Sequence, residues 1–295
     1  MNGCRLTFLG TGTSQGIPVV GCDCMVCNSP DPHDRRLRAS AFVEYGGKNI
    51  LVDCGPDFRT QMLRAGIKKL DAILLTHAHM DHIGGLDDTR ALQWGRGWEP
   101  HIWCEQRVLD ALKKHFYYAF SDQLYPGVAT WHFHIIDDKP FSIDGVEIVP
   151  IRVMHGKLPI LGFRFGNTAY ITDMSSIESS EEEKLKGLDA ITVNCVLQVP
   201  HHSHFSLPQA VEFAQRIGAR ESYLTHLSHY LPEHKKMERL LPPHIHPAYD
   251  GLTINCGRPE KRCPCNWKRF LDRTRAYLRR NDAPALTWHE PEPGH

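Results

Sequence analysis

The chain has 295 residues, 41% hydrophobic and 23% charged, which are the proportions of a folded globular protein able to bury a sizeable core. Its 34 basic and 34 acidic side chains cancel, so no global positive field marks a dedicated nucleic-acid binder. No apolar run is long enough to cross a bilayer, and residues 1–8 are too short and polar for an export signal, so a cytoplasmic protein without a membrane partner is expected.

In chain order, residues 5–9 read as a strand, followed by the turn Gly10-Thr11-Gly12-Thr13-Ser14. Cys22-Asp23-Cys24-Met25-Val26-Cys27 then places three thiols within six residues. That spacing is too cramped for ordinary disulfides and one ligand short of a closed tetrahedral zinc site. Residues 41–45 and 49–52 form a predicted hairpin across Gly46-Gly47. Residues 58–65 have helical spacing and stop at Gly66. Residues 72–75 read as a buried strand that runs straight into Thr76-His77-Ala78-His79-Met80-Asp81-His82. Gly84-Gly85 is expected to give the backbone freedom to leave that loop. Helical patterns follow over 86–94 and 108–116, while the aromatic, histidine-rich stretch from about 98 to 138 is expected to be an insertion or lid.

The second half repeats this style. Strands are predicted at 146–153, 160–165, 169–172, 190–194 and 222–225, with a helix at 208–217 between the last two. Strands flanked by helices in both halves predict an α/β chain in four layers, αββα, with two stacked mixed sheets and helices on the outer faces. After residue 254 the texture changes to a Gly/Pro/Cys loop, a basic helical stretch over 267–280 and a Pro-rich end. The predicted organisation is one domain over 1–256, with its cysteine knuckle at 21–28, and a partly helical extension over 257–295.

Histidine and cysteine carry the chemistry, with 19 and 10 copies. His77, His79, Asp81 and His82 place four ligand-type side chains in six residues directly after a strand, a spacing that suits a loop folded around metal. One loop cannot fill two coordination spheres. His155, Asp173 and His226 each follow a predicted strand, where α/β sites gather their chemistry.

This set resembles the metallo-β-lactamase superfamily, whose hallmark is the His-x-His-x-Asp-His loop. The resemblance implies two divalent ions, zinc or manganese. His77, His79 and His155 would hold one ion, Asp81, His82 and His226 the other, with Asp173 bridging them. It also implies that Asp53, in Leu51-Val52-Asp53-Cys54-Gly55, orients the metal loop from behind. The turn after residue 10, the cysteine knuckle and Thr225-His226-Leu227-Ser228-His229 are similar to the phosphoribosyl cyclic phosphodiesterase family of phosphonate breakdown. That closer resemblance implies a structural zinc on Cys22, Cys24, Cys27 and His229.

Two metal ions about 3.5–4 Å apart hold and acidify a bridging water, which suits hydrolysis at phosphorus or at an acyl carbon. The placement of His204 resembles the histidine beside the scissile phosphate in tRNA 3′-processing endonucleases, and it is expected to serve as general acid or phosphate contact. Asp81 is expected to be essential for catalysis. His201 reads as a solvated loop residue. Ser206 is expected to cap the next helix and, like Lys157, to face an anionic substrate, with Arg164 a further basic candidate. The leading expectation is a phosphodiesterase acting on a small, cyclic ribose or nucleotide phosphate. The alternatives are a lactone or thioester hydrolase, a tRNA 3′-processing endonuclease and, last, a non-catalytic metal-stabilised binding protein. A homodimer is compatible with all of them.

Overall fold

The computed structural model describes residues 3–94, 97–121 and 126–256; the extension expected at 257–295 lies outside the described residues. The strands in chain order are β1 (Cys4–Gly10), β2 (Ser40–Tyr45), β3 (Lys48–Val52), β4 (Ala72–Leu74), β5 (His101–Cys104), β6 (His132–Ile135), β7 (Phe141–Ile143), β8 (Val146–His155), β9 (Leu158–Phe165), β10 (Thr168–Tyr170), β11 (Ser176–Ile177), β12 (Ala190–Asn194), β13 (Glu221–Thr225), β14 (Ile245–Pro247) and β15 (Thr253–Cys256). One sheet has the order β15-β1-β2-β3-β4-β5-β6, and the other β11-β8-β9-β10-β12-β13-β14 with β7 beside β8. Both sheets are mixed. β3-β4-β5-β6 and β10-β12-β13-β14 run parallel, while the remaining neighbours are antiparallel.

Strand alternation explains the layering. In β3 and β4, Ile50, Val52, Ala72 and Leu74 face the space between the sheets, where they meet Leu161, Phe163 and Tyr170. Their neighbours Leu51 and Ile73 point the other way, onto the helices Phe58–Ala65 and Gln106–His115. In the second sheet Ile191 and Val193 pack under the helix Leu207–Ile217. Three apolar seams therefore separate four layers, as the sequence pattern predicts.

Two expectations need correction. The stretch from 98 to 138 is not an insertion over most of its described length. It supplies β5, β6 and the helix Gln106–His115, with Ile102, Cys104 and Leu112 fully buried. Its histidines and aromatics obscure the period-2 signal because β6 is an edge strand with mostly exposed side chains. The helix predicted at 86–94 is instead a 3-10 turn, Leu86–Thr89, followed by the short helix Arg90–Gln93. Among the described residues no helix is long and apolar enough to cross a membrane.

Candidate metal centre

The chemistry-bearing residues converge at one rim of the sandwich, because the parallel strands end there. Asp53 follows β3, the histidine loop follows β4, His155 ends β8, Asp173 follows β10, and His226 follows β13. Asp53, Asp173 and His226 all have left-handed backbone, with φ of 61°, 57° and 55°. Non-glycine residues hold this conformation only where their surroundings demand it, and it turns each side chain off its strand end toward the rim.

Two groups of ligand-type atoms result. His77, His79, His155 and Asp173 bring one donor atom each within 4.8 Å of one another, and so do Asp81, His82, Asp173 and His226. Asp173 belongs to both groups. Its Oδ2 lies 3.5 Å from His77 Nε2 and 3.2 Å from His82 Nε2, and its Oδ1 lies 3.2 Å from His226 Nε2. Asp81 Oδ2 closes the second group at 3.2 Å from His82 Nε2 and 3.6 Å from His226 Nε2.

Three of the ring nitrogens turned away from the cluster are tied back. His82 Nδ1 donates to Asp53 Oδ2 at 2.7 Å. Asp53 Oδ1 accepts from the Thr76 backbone N–H at 2.9 Å. The Thr76 hydroxyl donates to the same carboxylate and accepts from His77 Nδ1 at 2.9 Å. His155 Nδ1 donates to the Ser203 carbonyl at 2.8 Å. Each bond leaves Nε2 as the lone-pair nitrogen directed into the cluster. Thr76 was not singled out from sequence, although its place between a strand and His77 was the available signal.

Buried polar atoms test whether the cluster fits cations. His82 Nε2 and both nitrogens of His226 are buried without a hydrogen-bond partner, although those side chains are almost wholly inaccessible. Unpartnered buried nitrogens facing carboxylates fit a bound divalent cation and little else. Charge agrees. Burial would raise the Asp173 carboxyl, but His226 and His82 outweigh it and hold Asp173 well below the usual range. Burial also drives His77 well below its ordinary value and lowers His79, so both rings stay neutral and able to ligate.

His204 sits beside this cluster, its Nε2 3.7 Å from Asp173 Oδ2 and its ring stacked on His226 at 5.1 Å. Burial pulls it down to about 4, against the opposing pull of Asp173. Lys157 is exposed in the β8–β9 turn, two residues beyond His155. Two basic or polar expectations are corrected. Ser206 is 1% exposed and its hydroxyl donates to Gln209 Oε1 at 2.7 Å in a capping box, so it is a helix cap and not a substrate contact. Arg164 lies at the far end of β9 and spends its guanidinium on the Gly166, Lys184 and Lys186 carbonyls.

The cysteine knuckle forms a second cluster. His229 Nδ1 lies 3.1 Å from Cys22 Sγ and 3.5 Å from both Cys24 Sγ and Cys27 Sγ. A tetrahedral zinc with ordinary Zn–S and Zn–N bonds spaces such ligands at about 3.5 Å. Burial holds His229 below its usual value, in the neutral form that ligates.

The four-layer fold and the His-x-His-x-Asp-His rim coincide with a family match, since the Beta-lactamase superfamily domain model covers residues 48–227. This chain belongs to the metallo-β-lactamase superfamily. Within it the chain lies near the PhnP family. A crystal structure of a diphosphatase from that family superposes with a TM-score of 0.79 at 43% identity, covering 85% of this chain and 97% of the other. An octanoyltransferase of Porphyromonas gingivalis W83 is 46% identical over 251 residues, 84% of this chain but 51% of the relative, so the chain spans about half that protein. A ribonuclease Z of Mycobacterium sp. (strain KMS) is 46% identical over 265 residues, covering 77% of this chain and 84% of the relative. The chain carries the superfamily's fold with groups of side chains that could hold divalent metal ions.

Proposed function

We propose that this protein is a binuclear phosphodiesterase acting on a small phosphodiester, with cyclic ribose or nucleotide phosphates as the first class to test. His77, His79 and His155 would hold one cation and Asp81, His82 and His226 the other, with Asp173 shared between the two groups. Cys22, Cys24, Cys27 and His229 would hold a third cation, a structural zinc. Zinc or manganese suits the histidine and carboxylate donors of the rim. Two such cations, when bound, supply Lewis acidity and a water of lowered pKa. The observation that carries the reading is His204 Nε2, buried, without a hydrogen-bond partner and 3.7 Å from the shared carboxylate.

The chain's own residues do the rest. Asp53 and Thr76 fix the tautomers of His82 and His77, and the Ser203 carbonyl fixes that of His155. A phosphoryl anion seated against His204 Nε2 favours the protonated ring, because a neighbouring negative charge offsets the burial that depresses it. His204 then gives its Nε2 proton to the departing alkoxide oxygen. Lys157 adds positive charge at the open edge.

The octanoyltransferase relative raises acyl transfer as a second reading. Covalent acyl transfer through a thiol finds no support at this rim. Cys54 and Cys195 are fully buried, and burial pushes the Cys195 thiol far above its ordinary value. The relative's name also covers a protein of which this chain matches only half.

The test is hydrolysis by zinc- or manganese-loaded protein of a phosphodiester, a diphosphate anhydride, a thioester, a lactone and a 3′-extended tRNA in parallel. Diester cleavage that collapses in Asp81→Ala and falls strongly in His204→Ala is expected. Turnover confined to the thioester or lactone refutes the proposal, and turnover confined to the tRNA replaces it with 3′-end processing.

A further inference from the structure

Three histidines form a group apart from the rim and the knuckle. His101 opens β5 and His132 opens β6, so they lie where the parallel strands start, whereas the rim lies where those strands end. In the parallel ladder His101 stands opposite His132, and Trp103 opposite His134. Residues two apart on a strand share a face, so all four side chains project from one side of β5 and β6. The rings meet accordingly. His101 stacks on both His132 and His134 at 5.1 Å, and His134 lies nearly flat on Trp103 at 4.2 Å and 12°. β6 is the edge of its sheet, and His132 and His134 are exposed, so solutes reach the group from solvent.

His101 Nδ1 and His134 Nε2 are 2.8 Å apart. In the metal-free pair one ring donates a proton to the other. The same spacing is a chelate bite. Metal–nitrogen bonds of about 2.0 Å place two nitrogens about 2.8 Å apart at a right angle and about 3.3 Å apart at a tetrahedral one. The pair therefore suits a tetragonal cation better than a tetrahedral one. The nearly buried Trp103 fixes the plane of His134, while the soft χ2 torsion of His101 lets its lone pair turn to the same point. Burial, with His101 and His132 close by, holds His134 below its ordinary value, in the neutral form that ligates. His132 Nε2 faces Glu99 Oε2 at 3.1 Å, which sets a carboxylate beside the bite.

We propose that His101 and His134 form a further metal site, a two-nitrogen bite for one divalent cation of the nickel or copper type. Water fills the other positions, and the His132–Glu99 pair stands next to it. The site is independent of the phosphodiesterase reading. A cation there ties β5 to β6 and clips the edge strand to its sheet.

Nickel(II) is the probe, because it leaves the knuckle thiols unoxidised. Full-length protein carrying its zinc is titrated with nickel(II) by calorimetry, and its zinc is counted afterwards. Wild type is compared with His101→Gln, His134→Gln and, as a control outside the group, His115→Gln at the exposed end of the helix Gln106–His115. Wild type and His115→Gln should bind one equivalent of nickel, keep their zinc and gain in Tm. His101→Gln and His134→Gln should bind nickel about tenfold or more weakly, since losing even a group that only supports a ligand costs that much. Their nickel-free Tm should stay near wild type, because both side chains sit at the surface. Absence of nickel binding, exchange of nickel for zinc mole for mole, or unchanged affinity in His101→Gln and His134→Gln overturns the site. Equal weakening in all three variants overturns it as well, since that is adsorption on surface imidazoles. Excess zinc gives a reading that needs no variant: it should bind this pair more weakly than nickel, and equal or tighter zinc binding refutes the right-angle bite.

Discussion

At the scale of single residues, the centre is governed by what stands behind the ligands. Asp53 is fully buried and bonds only inward, to His82, the Thr76 hydroxyl and the Thr76 backbone N–H. Burial raises its carboxyl above the ordinary value, with His82 pulling the other way. Asp53→Asn keeps the shape but offers an amide N–H or a weaker acceptor to His82 Nδ1. The expected result is a loss of metal affinity of about 10–100-fold with little change in kcat at saturating metal, read by metal titration of chelated protein. An unchanged affinity would show that His82 holds its tautomer without Asp53. The ligand-type residues were legible in the sequence because a histidine loop after a strand is a dense local signal. Thr76 was not, since a hydroxyl flanking a histidine declares nothing until the fold shows which nitrogen it faces. Ser206 misled for the converse reason: a serine close to His204 looked like a ligand contact, and the helix it caps had the prior claim on its hydroxyl.

At the scale of elements, close packing beneath the metal loop decides whether the ligands register. The sequence suggested that Gly84-Gly85 supplies conformational freedom, yet neither residue is among the glycines with positive φ. They supply room. A Cβ on Gly85 would stand 2.0 Å from the Gly55 carbonyl oxygen, and one on Gly55 would stand 2.1 Å from that of Asp81. The segment carrying Asp53 and the segment carrying Asp81 therefore touch through glycines, joined by the Cys54 N–H to His82 carbonyl bond at 2.8 Å. Gly85→Ala should cost about 3 kcal/mol or more, because backbone and not a mobile side chain would have to yield. It should also weaken metal binding. The control is Gly187→Ala, where φ is 73° but nothing lies within 4 Å, so only left-handed strain of about 1 kcal/mol is expected. Equal stability losses in the two denaturant curves would refute the close-approach argument. Short apolar runs made β3, β4, β8 and β12 readable, whereas edge strands such as β6 expose most side chains and leave the pattern without an apolar face.

At the scale of the whole molecule, the first and last parts of the described chain are locked together beyond the pairing of β1 with β15. His33 stacks on His234 at 4.7 Å and against Tyr249 at 4.3 Å, while Arg36, buried beside them, donates to the Ala248 carbonyl. Burial, helped by Arg36, pulls His234 down to about 4. Its folded value lies below the ordinary histidine value near 6.5, so the unfolded chain takes up the proton first as pH falls. The contribution of His234 to stability is present above about pH 6.5 and is lost on the way to pH 4. The fall in Tm between pH 7 and 4.5 should be smaller in His234→Gln than in wild type. The second lock joins the two metal clusters. Leu227 donates to the Thr11 carbonyl at 2.8 Å and accepts from Thr13 at 3.1 Å, so the loop leading to the knuckle is laced to the segment between His226 and His229. His226 faces the histidine-rich rim and His229 the cysteines, separated by two residues. A cation on the knuckle would therefore hold the backbone that aims His226. Cys24→Ser should lose one equivalent of zinc and lower Tm. It should also weaken the rim site containing His226, while the affinity of the site on His77, His79 and His155 stays closer to wild type. Metal counting with stepwise chelation distinguishes the two. If both rim sites keep wild-type affinity after the knuckle is emptied, the clusters are independent and the knuckle serves only its own loop.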